Sequence, residues 1–267
     1  MAQRRRISHK KAQSVIIRPD YKPLNDYLTN EGIDQKLIQS TLHDKRFTFL
    51  PIVVNWITYQ KKEKPSQYTH YMKPEVIERG KQFLKNYSPI LTHAETQFGV
   101  SKEIIVALLG VETNYCQHTG KYPIINVYGS LSVMDQDCVI QGLKLDKEYL
   151  PRIKKRAAWG RSELAAFLKY CEAHQIKDPY TIKGSWAGAI GYPQFIPSSV
   201  ARWGMDGNAD GKIDLFTYED TIFSIANYLK SAGFDKENDK TWIHAIYAYN
   251  HSNAYVERVI ALAAALK

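Results

Sequence analysis

One glutamate in this sequence is a candidate for acid–base chemistry. Glu112 follows eight apolar or glycine positions in the stretch IIVALLGVETNYC, residues 104–116. On a helix it shares a face with Leu108 and Ile105, so its carboxyl group would emerge from an apolar stripe. Desolvation on such a face disfavours a charged carboxylate, and a carboxyl group in that setting can act as a general acid near neutral pH. The alternative is a glutamate that simply enters solvent where the helix ends.

A second motif has the oxygen spacing of a calcium loop. In DGNADGKID, residues 206–214, the candidate ligands are Asp206, Asn208, Asp210 and the carbonyl of Lys212. Gly211 follows for the sharp turn, as in an EF-hand loop. Position twelve, which should be a bidentate glutamate, is Thr217, and the nearest carboxylates are Glu219 and Asp220. The pattern favours a structural calcium site with a displaced last ligand over a polar turn without metal.

A glycine-rich stretch, GSWAGAIGYPQFIPSS at residues 184–199, allows close approach of backbone or ligand. It lacks the GKS or GKT of a phosphate loop, and no strand is predicted before it. Ser185 and Gln194 could hydrogen-bond a polar ligand. Taken alone, the stretch is better explained as a tight packing segment.

The stretch AYNHSNAY, residues 248–255, places two tyrosines around an amide just before the last predicted helix. Tyr249 and Tyr255 could stack on a pyranose ring while Asn250 reads its substituents. The alternative is that Asn250 caps the last helix.

Helical periodicity accounts for most of the chain and predicts the elements that must position these side chains. Helices are expected within 24–60, over 73–99, after Ser101, and over 161–175, 215–233 and 254–267. Residues 1–20 form a basic tail that is expected to be disordered, and 61–67 read as a polar linker. Alternating strand patterns are rare, so the predicted fold class is mainly α.

Composition limits the classes of function. The 267 residues include 36 Lys and Arg against 27 Asp and Glu, a net charge of +9, which admits anionic partners. No apolar run approaches the roughly 20 residues of a membrane span. No basic stripe interleaves with aromatics, so nucleic-acid binding is not expected. The three cysteines, Cys116, Cys138 and Cys171, match no zinc spacing and are expected to be small buried side chains.

Four motifs in one order carry a specific resemblance. GVETNY, GSWAGAIGYPQFIPSS, DGNADGKIDLF and YNHSNAY together resemble the membrane-bound lytic murein transglycosylase B family, over roughly residues 70–267. The resemblance implies a mainly helical, lysozyme-like fold with a calcium-binding EF-hand-like loop. It also implies one catalytic domain over residues 21–267. Within it, the N-terminal helical part, residues 21–66, packs on the rest.

The resemblance assigns roles position by position. It makes Glu112 the single catalytic acid and base. The implied lining of the glycan cleft is Ser185, Gln194, Tyr249, Asn250 and Tyr255. The implied ligands of a structural, non-catalytic Ca²⁺ are Asp206, Asn208, Asp210, the carbonyl of Lys212 and Asp220.

The implied reaction cleaves peptidoglycan strands between N-acetylmuramic acid and N-acetylglucosamine without water and leaves 1,6-anhydromuramic acid ends. No second carboxylate in a comparable setting is evident from the sequence, and the usual two-carboxylate glycosidase scheme would need one. The muramic acid N-acetyl group would assist instead. Two alternatives stay open: a hydrolase of peptidoglycan or a chitin-like glycan with the same acid, and a non-catalytic calcium- or glycan-binding module.

Departures from the family pattern limit what is transferred. The chain between the acid and the glycine-rich stretch follows the pattern loosely, so no site residue is assigned there. The part between the calcium loop and YNHS is short, which predicts that an accessory subdomain is missing. Family members act in the periplasm, which is the expected location, although no secretory signal or lipidation cysteine is evident. A monomer is expected.

Overall fold

Helices account for most of the regular structure in this computed structural model, which describes residues 17–61 and 65–267. The mainly α prediction is confirmed. Most of the predicted disordered tail, residues 1–16, lies outside the described residues. Residues 17–20 follow an irregular path, and Asp20 exchanges hydrogen bonds of 2.8 and 2.6 Å with the side chain of Gln136.

The helices fall into two halves in chain order. The first half contains α1 (Lys22–Asn30), α2 (Gln35–Leu42), α3 (Pro51–Tyr59), a 3-10 helix (Pro65–Met72), α4 (Pro74–Asn86), α5 (Ser88–Phe98) and α6 (Lys102–Thr113). The second half contains α7 (Ile124–Ser132), α8 (Asp137–Gly142), α9 (Leu150–Ala173), α10 (Pro197–Trp203), α11 (Tyr218–Ser231), α12 (Asp239–Tyr249) and α13 (Asn253–Leu266). Two short 3-10 turns, Lys147–Tyr149 and Pro179–Thr181, precede α9 and β2 (Lys183–Gly184), and β2 pairs antiparallel with β1 (Tyr122–Pro123).

Two predicted helices have different bounds in the structure. The helix expected over 73–99 is divided at Tyr87, which has φ −109° and ψ 19°. Pro89 in the first turn of α5 cannot donate a backbone hydrogen bond and would clash with the carbonyl four residues earlier. Conversely, α9 begins at Leu150 rather than at 161, because Ile153 and Ala157 continue its buried face.

The buried side chains form two hydrophobic clusters. The first cluster is built from α4, α5, α6, α11, α12 and α13. The second joins α1–α3 with α7–α10. Within the first, α6 is buried all round: the side chains of Ile104 to Leu109 are at most 1% exposed. Each such large aliphatic side chain contributes roughly 1.5–3 kcal/mol by leaving water, so packing, rather than helix propensity, fixes the position of α6.

The glycine-rich stretch lies where the two clusters meet. Gly184 pairs with Tyr122 and also bridges to Ile190, which in turn bridges to Phe195. Gly188 has φ +90°, and a β-carbon there would overlap the ring of Tyr128. The Tyr128 hydroxyl donates to the Gly188 carbonyl at 3.0 Å. This glycine therefore permits both a left-handed turn and a close approach to α7.

The cysteines match their expected role only in part. Cys171 is buried and Cys116 is half-buried, and burial raises the pKa of each thiol to about 12. Cys138 is exposed, so the expectation of a buried side chain is wrong for it. Among the described residues, no helix has the length and hydropathy needed to cross a bilayer.

A buried carboxylate joins α9 to α10. Glu163 is 3% exposed, and its two oxygens accept hydrogen bonds from the backbone N–H of Ser198 at 2.9 Å and from its hydroxyl at 2.7 Å. Burial raises the pKa of Glu163, and these hydrogen bonds oppose that rise. The carboxylate thereby fixes the start of α10 against the long helix.

We expect Glu163→Ala to destabilise the protein by about 2–4 kcal/mol, because it leaves a cavity and removes the acceptor of two hydrogen bonds. Urea unfolding followed by circular dichroism measures the change. Lys155→Ala, at an exposed position of the same helix, is the control and should change stability by less than about 0.5 kcal/mol. Equal effects of the two substitutions would contradict the structural role of Glu163.

Candidate active site

The end of α6 is held in an unusual backbone conformation directly after Glu112. Asn114, Tyr115 and Cys116 have φ values of 53°, 58° and 70°. The N–H of Tyr115 donates to the carbonyl of Leu109 at 3.0 Å, which closes the helix as in a Schellman motif. Left-handed conformations cost non-glycine residues on the order of 1–2 kcal/mol each. Surrounding contacts must therefore hold this turn.

Side chains supply those contacts. Tyr115 is 6% exposed and packs closely against Gly80 on α4 and Gly110 on α6. The Arg79 guanidinium donates to the side-chain oxygen of Asn114 at 2.7 Å. The backbone N–H of Cys116 donates to the hydroxyl of Thr113 at 3.0 Å. Several independent contacts thus hold the turn in place. The turn in turn sets the direction in which the Glu112 side chain leaves the helix.

Glu112 itself receives a hydrogen bond from the last helix. The Tyr255 hydroxyl donates to Oε1 of Glu112 at 2.5 Å. Tyr255 is 1% exposed, and its ring meets that of Tyr68 edge to face with centroids 6.1 Å apart. Burial, together with the charge of Glu112, raises the pKa of Tyr255 well above its ordinary value. The hydroxyl therefore keeps its proton and acts as a donor to the carboxyl group.

Glu112 opens into a cleft of about 1090 Å³. Four of the residues predicted to bind substrate lie on its walls: Ser185, Gln194, Tyr249 and Asn250. The fifth, Tyr255, lies beneath the surface of the cleft and reaches Glu112 only through its hydroxyl. The structure therefore brings together Glu112 and all the residues predicted to line the glycan cleft, with Tyr255 as a hydrogen-bond donor to Glu112.

Internal hydrogen bonds orient the cleft residues. The Ser185 hydroxyl accepts from the N–H groups of Ala187 and Ala189 at 3.3 and 3.0 Å, which leaves its own proton for a ligand. The Gln194 amide nitrogen donates to the Gly191 carbonyl at 2.7 Å. Gln194 therefore has its side-chain oxygen left to accept from a ligand.

The tyrosine–asparagine stretch is held from both sides. The Tyr249 hydroxyl donates to the carbonyl of Pro193 at 2.6 Å, so the proton of this cleft residue is already used within the protein. The suggestion that Asn250 caps the last helix is wrong. Ser252 is the N-cap of α13, and its hydroxyl accepts from the N–H of Tyr255 at 3.3 Å.

Other cleft residues were missed by sequence reasoning. Trp186 lies in the quoted glycine-rich stretch, and its ring meets that of Trp56 on α3 edge to face at 5.5 Å. Arg156 belongs to the run IKKR on α9, which has the composition of a solvated helix face. Lys61 follows α3 and also lines the cleft. Only the tryptophan, flanked by small residues beside Ser185, gave a usable sequence signal.

Glu257 on α13 also faces the cleft. The sequence predicts no second carboxylate in a setting comparable to that of Glu112. Glu257 is exposed, whereas Glu112 is half-buried. The two carboxyl groups therefore have different surroundings within one cleft.

The calcium-like loop is ordered by its own side chains. Asp206 accepts from the N–H groups of Asp210 and Gly211 at 3.1 and 2.8 Å. Asn208 accepts from the N–H of Asp210 at 3.0 Å, and Asp210 from that of Lys212 at 2.9 Å. The three side chains predicted as ligands therefore turn their oxygens toward the same short segment of backbone.

Asp220 supports this loop from α11. It is completely buried, and its two oxygens accept from the N–H groups of Gly207 at 2.8 Å and Asp214 at 2.6 Å. Burial raises the pKa of Asp220, and the backbone donors oppose that rise. In the described part of the chain, no three carboxylate, imidazole or thiol groups are placed to hold a metal ion. Amide and carbonyl oxygens would have to complete any ligand set here.

Comparison with known proteins gives concordant matches. The family model described as transglycosylase SLT domain matches residues 17–243. Membrane-bound lytic murein transglycosylase B of Escherichia coli (strain K12) is 34% identical over 181 residues, which are 68% of this chain and 43% of that protein. The chain thus spans less than half the length of this curated relative.

Solved structures share the fold. The Escherichia coli lytic transglycosylase Slt35 in complex with calcium matches with a TM-score of 0.77 and 25% identity, over 92% of this chain and 91% of that chain. The soluble lytic transglycosylase SltB1 of Pseudomonas aeruginosa matches with a TM-score of 0.75 and 22% identity, over 91% and 98%. SltB3 of the same organism, in complex with NAG-anhNAM-pentapeptide, matches with a TM-score of 0.75 and 20% identity, over 91% and 77%.

The turn that positions Glu112 can be tested through Gly110. A β-carbon at this position would lie 2.8 Å from Cζ of Tyr115. We expect Gly110→Ala to destabilise the protein by about 1–3 kcal/mol through overpacking, although alanine is the better helix former. In a Tyr115→Ala background the same substitution should be neutral or stabilising, and denaturant unfolding of the four proteins gives the coupling. Additive effects would show that Tyr115 does not constrain the helix end.

Proposed function

This chain belongs to the transglycosylase SLT domain family, and from that premise we propose that it is a peptidoglycan lytic transglycosylase. The proposed reaction cleaves the bond between N-acetylmuramic acid and N-acetylglucosamine without water and leaves a 1,6-anhydromuramic acid end. The observation that carries the proposal is the hydrogen-bonded Glu112 at the end of a buried helix, on the wall of a large cleft.

The geometry around Glu112 supports one group that acts first as acid and then as base. Glu112 donates its proton to the glycosidic oxygen as the bond to the muramic acid C1 breaks. The carboxylate that results is stabilised by the Tyr255 hydroxyl, because a hydrogen bond to the charged form favours that form. Glu112 then takes the proton of the C6 hydroxyl of the same sugar, and O6 bonds to C1. The proton taken up restores the acid, so no water is consumed.

The substrate itself supplies what a second carboxylate would supply in other glycosidases. The N-acetyl carbonyl of muramic acid supports the developing oxocarbenium centre, an arrangement known as substrate assistance. In this proposal Ser185 donates to the glycan and Gln194 accepts from it, while the Tyr249 ring packs on a sugar face and Asn250 reads a substituent. SltB3 has been solved with glycan–peptide fragments, which fits this substrate class.

One observation favours a second candidate. Because Glu257 faces the same cleft, a hydrolase that uses Glu112 as acid and Glu257 to activate water is chemically possible. The two reactions differ in their product, since hydrolysis gives a reducing end and the transglycosylase gives an anhydro end. Identification of the product end therefore separates them.

Mass spectrometry of fragments released from purified peptidoglycan tests the proposal. We expect the wild-type protein to release muropeptides that are each lighter by one water than the hydrolytic product. Glu112→Gln should reduce release by at least about a thousandfold with an unchanged circular dichroism spectrum, because the amide cannot donate and recover a proton. Glu103→Gln, the same substitution at the other end of α6, is the matched control.

The outcome for Glu257→Gln decides between the two reactions. Anhydro products from this variant support a single catalytic carboxylate. Reducing ends from the wild-type protein, lost in both Glu112→Gln and Glu257→Gln, would establish hydrolysis instead. Full activity of Glu112→Gln would refute both.

We also propose that the loop holds a structural Ca²⁺ ion. Oxygen donors on Asp206, Asn208 and Asp210, with the carbonyl of Lys212, are the donors that Ca²⁺ prefers. Asp220, which is the remaining predicted ligand, already braces the loop through backbone N–H groups. The ion would neutralise neighbouring carboxylates and take no part in the proton transfers. Slt35 has been solved with calcium, which supports this assignment.

The cellular setting follows from the proposed substrate. Peptidoglycan strands are the proposed partner, and the periplasm is the proposed location. The positive net charge of +9 suits an anionic polymer. We propose that the protein acts as a monomer, because one chain supplies every residue that the reaction uses.

Thermal unfolding in calcium and in chelator tests the metal. An ion that binds only the folded chain stabilises it by about 2.7 kcal/mol at a hundredfold excess over its dissociation constant. We therefore expect a midpoint several degrees higher in calcium for the wild-type protein, and no calcium effect for Asp210→Ala. Asp239→Ala, an exposed aspartate on α12, should respond like the wild type. A wild-type midpoint that is equal in calcium and chelator would identify the loop as a polar turn.

A further inference from the structure

An exposed row of apolar side chains runs along α3 toward the cleft. Ile52 is 46% exposed and Trp56, one turn later, is 40% exposed, whereas Val53 and Val54 between them are buried. Gln60, one further turn along the chain, follows the end of α3 and lines the cleft. Because positions four residues apart share a helix face, the row leads from open solvent to the cleft.

Packing of the core does not account for Trp56. The opposite face of α3 carries the contacts with α7 and α9, and Val53, Val54 and Ile57 are at most 2% exposed. An indole with 40% of its surface in water loses part of the stabilisation that burial would give it. One exposed apolar side chain is ordinary, but a contiguous apolar patch beside a cleft is typical of a binding surface.

Two further rings extend the patch. The Trp56 ring meets that of Trp186 with centroids 5.5 Å apart and that of Tyr122 with centroids 6.3 Å apart. The interplanar angles are 73° and 89°, so the rings brace one another edge to face. Trp186 lines the cleft, and the patch is therefore continuous with it. Trp56, Tyr122 and Trp186 are called the aromatic platform below.

Backbone hydrogen bonds fix the platform before any ligand arrives. Tyr122 on β1 pairs with Gly184 on β2, two residues before Trp186. Trp186 is the second residue of a turn in which the N–H of Gly188 donates to the carbonyl of Ser185 at 3.0 Å. The same turn brings Ser185 to the cleft. A surface held in this way loses little conformational entropy when a ligand packs on it.

The surroundings of the platform are polar, which indicates what it binds. The ammonium nitrogen of Lys121, an exposed residue, lies 5.8 Å from the centroid of the Tyr122 ring. Gln60 is exposed where α3 meets the cleft. Aromatic rings bordered by such groups suit a ligand with an apolar face and polar edges, and a pyranose ring has both. A lipid or an apolar protein surface would desolvate the polar groups without pairing them.

We propose that the aromatic platform binds a sugar ring of the glycan strand away from the reacting bond, so that this protein binds long strands more tightly than short ones. The proposal rests on the proposed function for the identity of the strand. In that function Ser185 and Gln194 contact the sugars near Glu112, and a strand that continues past Trp186 reaches the platform. The segments α3 and β1 thereby set the preferred strand length, while Glu112 performs the chemistry.

Calorimetry with glycan fragments of increasing length tests the platform. Di-, tetra-, hexa- and octasaccharides of alternating N-acetylglucosamine and N-acetylmuramic acid are compared in a Glu112→Gln background, so that affinity does not depend on turnover. In this parent we expect affinity to rise in a step at the length that first reaches the platform. Trp56→Ala should remove the step, which weakens binding of longer fragments about three- to tenfold, as expected for one aromatic packing contact, and should leave shorter fragments unaffected.

Two variants on the same helix separate ring packing from general apolar contact. Trp56→Phe keeps an aromatic face and should retain most of the step, whereas the change in tryptophan fluorescence on octasaccharide binding should become smaller. Ile52→Ala removes a similarly exposed aliphatic side chain one turn earlier and should bind every fragment like the parent. A midpoint of unfolding within about two degrees of the parent confirms that each variant is folded.

Each outcome bears on the proposal. A parent without a step, or a step that Trp56→Ala leaves unchanged, would overturn it and leave the patch to a partner of another class. Equal losses for Ile52→Ala and Trp56→Ala would also overturn it, as would an unchanged fluorescence response in Trp56→Phe. A loss that extends equally to the disaccharide would place Trp56 at the reacting bond instead.

Failure of the proposed function is distinguishable from failure of the platform. In the first case the wild-type protein would bind the longer fragments with the step but release no anhydro product from peptidoglycan. In the second case it would release that product, and affinity would not depend on Trp56. Absence of binding to any fragment would reject both proposals.

Discussion

The hydrogen bond between Tyr255 and Glu112 joins α13 to α6, the helix that carries the proposed acid. It requires α6 to end at the cleft surface and α13 to bury a tyrosine beneath it. Because α6 is apolar and surrounded by other helices, it cannot rotate without exposing large aliphatic side chains to water. The left-handed turn after Glu112 then fixes where the carboxyl group leaves the helix. The position of the Glu112 carboxyl group, the proposed proton donor, thus depends on the packing of a whole hydrophobic cluster.

The cleft exists because two clusters meet without merging. Tyr228 and Tyr249 pack against both, and the glycine-rich stretch fills the seam between them. Residues on this seam are held by contacts from either side, which explains why Ser185, Gln194 and Tyr249 use polar atoms for internal hydrogen bonds. Such preorganisation lowers the entropy lost when a ligand binds. It also brings side chains of opposite charge into one cleft, as Glu112 and Arg156 show.

The polar loop contributes to this arrangement from a distance. Asp220 holds the loop and lies in the first turn of α11, a helix that packs on α5 and α6. A carboxylate buried at that point is tolerated because backbone N–H groups of the loop satisfy it. Order in the loop and order in the first cluster are therefore linked, although the loop supplies no residue to the cleft.

Properties that depend on local spacing were accessible from the sequence. The apolar periodicity before Glu112 predicts a buried helix with a carboxyl group at its end, and the alternate oxygens from Asp206 to Asp210 predict a compact turn. Pro89 could also have predicted the break between α4 and α5, since the restriction it imposes on the backbone is local. In each case neighbouring residues decide the conformation. This is why the mainly helical fold, and the family that the four motifs indicate, could be predicted from the sequence.

The tertiary structure alone decided which distant side chains meet. Tyr255 was predicted to line the cleft, but its contact with Glu112 spans 143 residues of sequence and makes it a buried support for the acid. Arg156 lies in a run that resembles a solvated helix face, and only the packing of α9 against α7 and α10 brings it to the cleft. Glu257 likewise shares the cleft with Glu112 only because α13 packs on α6. Contacts of this kind depend on how whole helices pack, and no local pattern of residues encodes that packing.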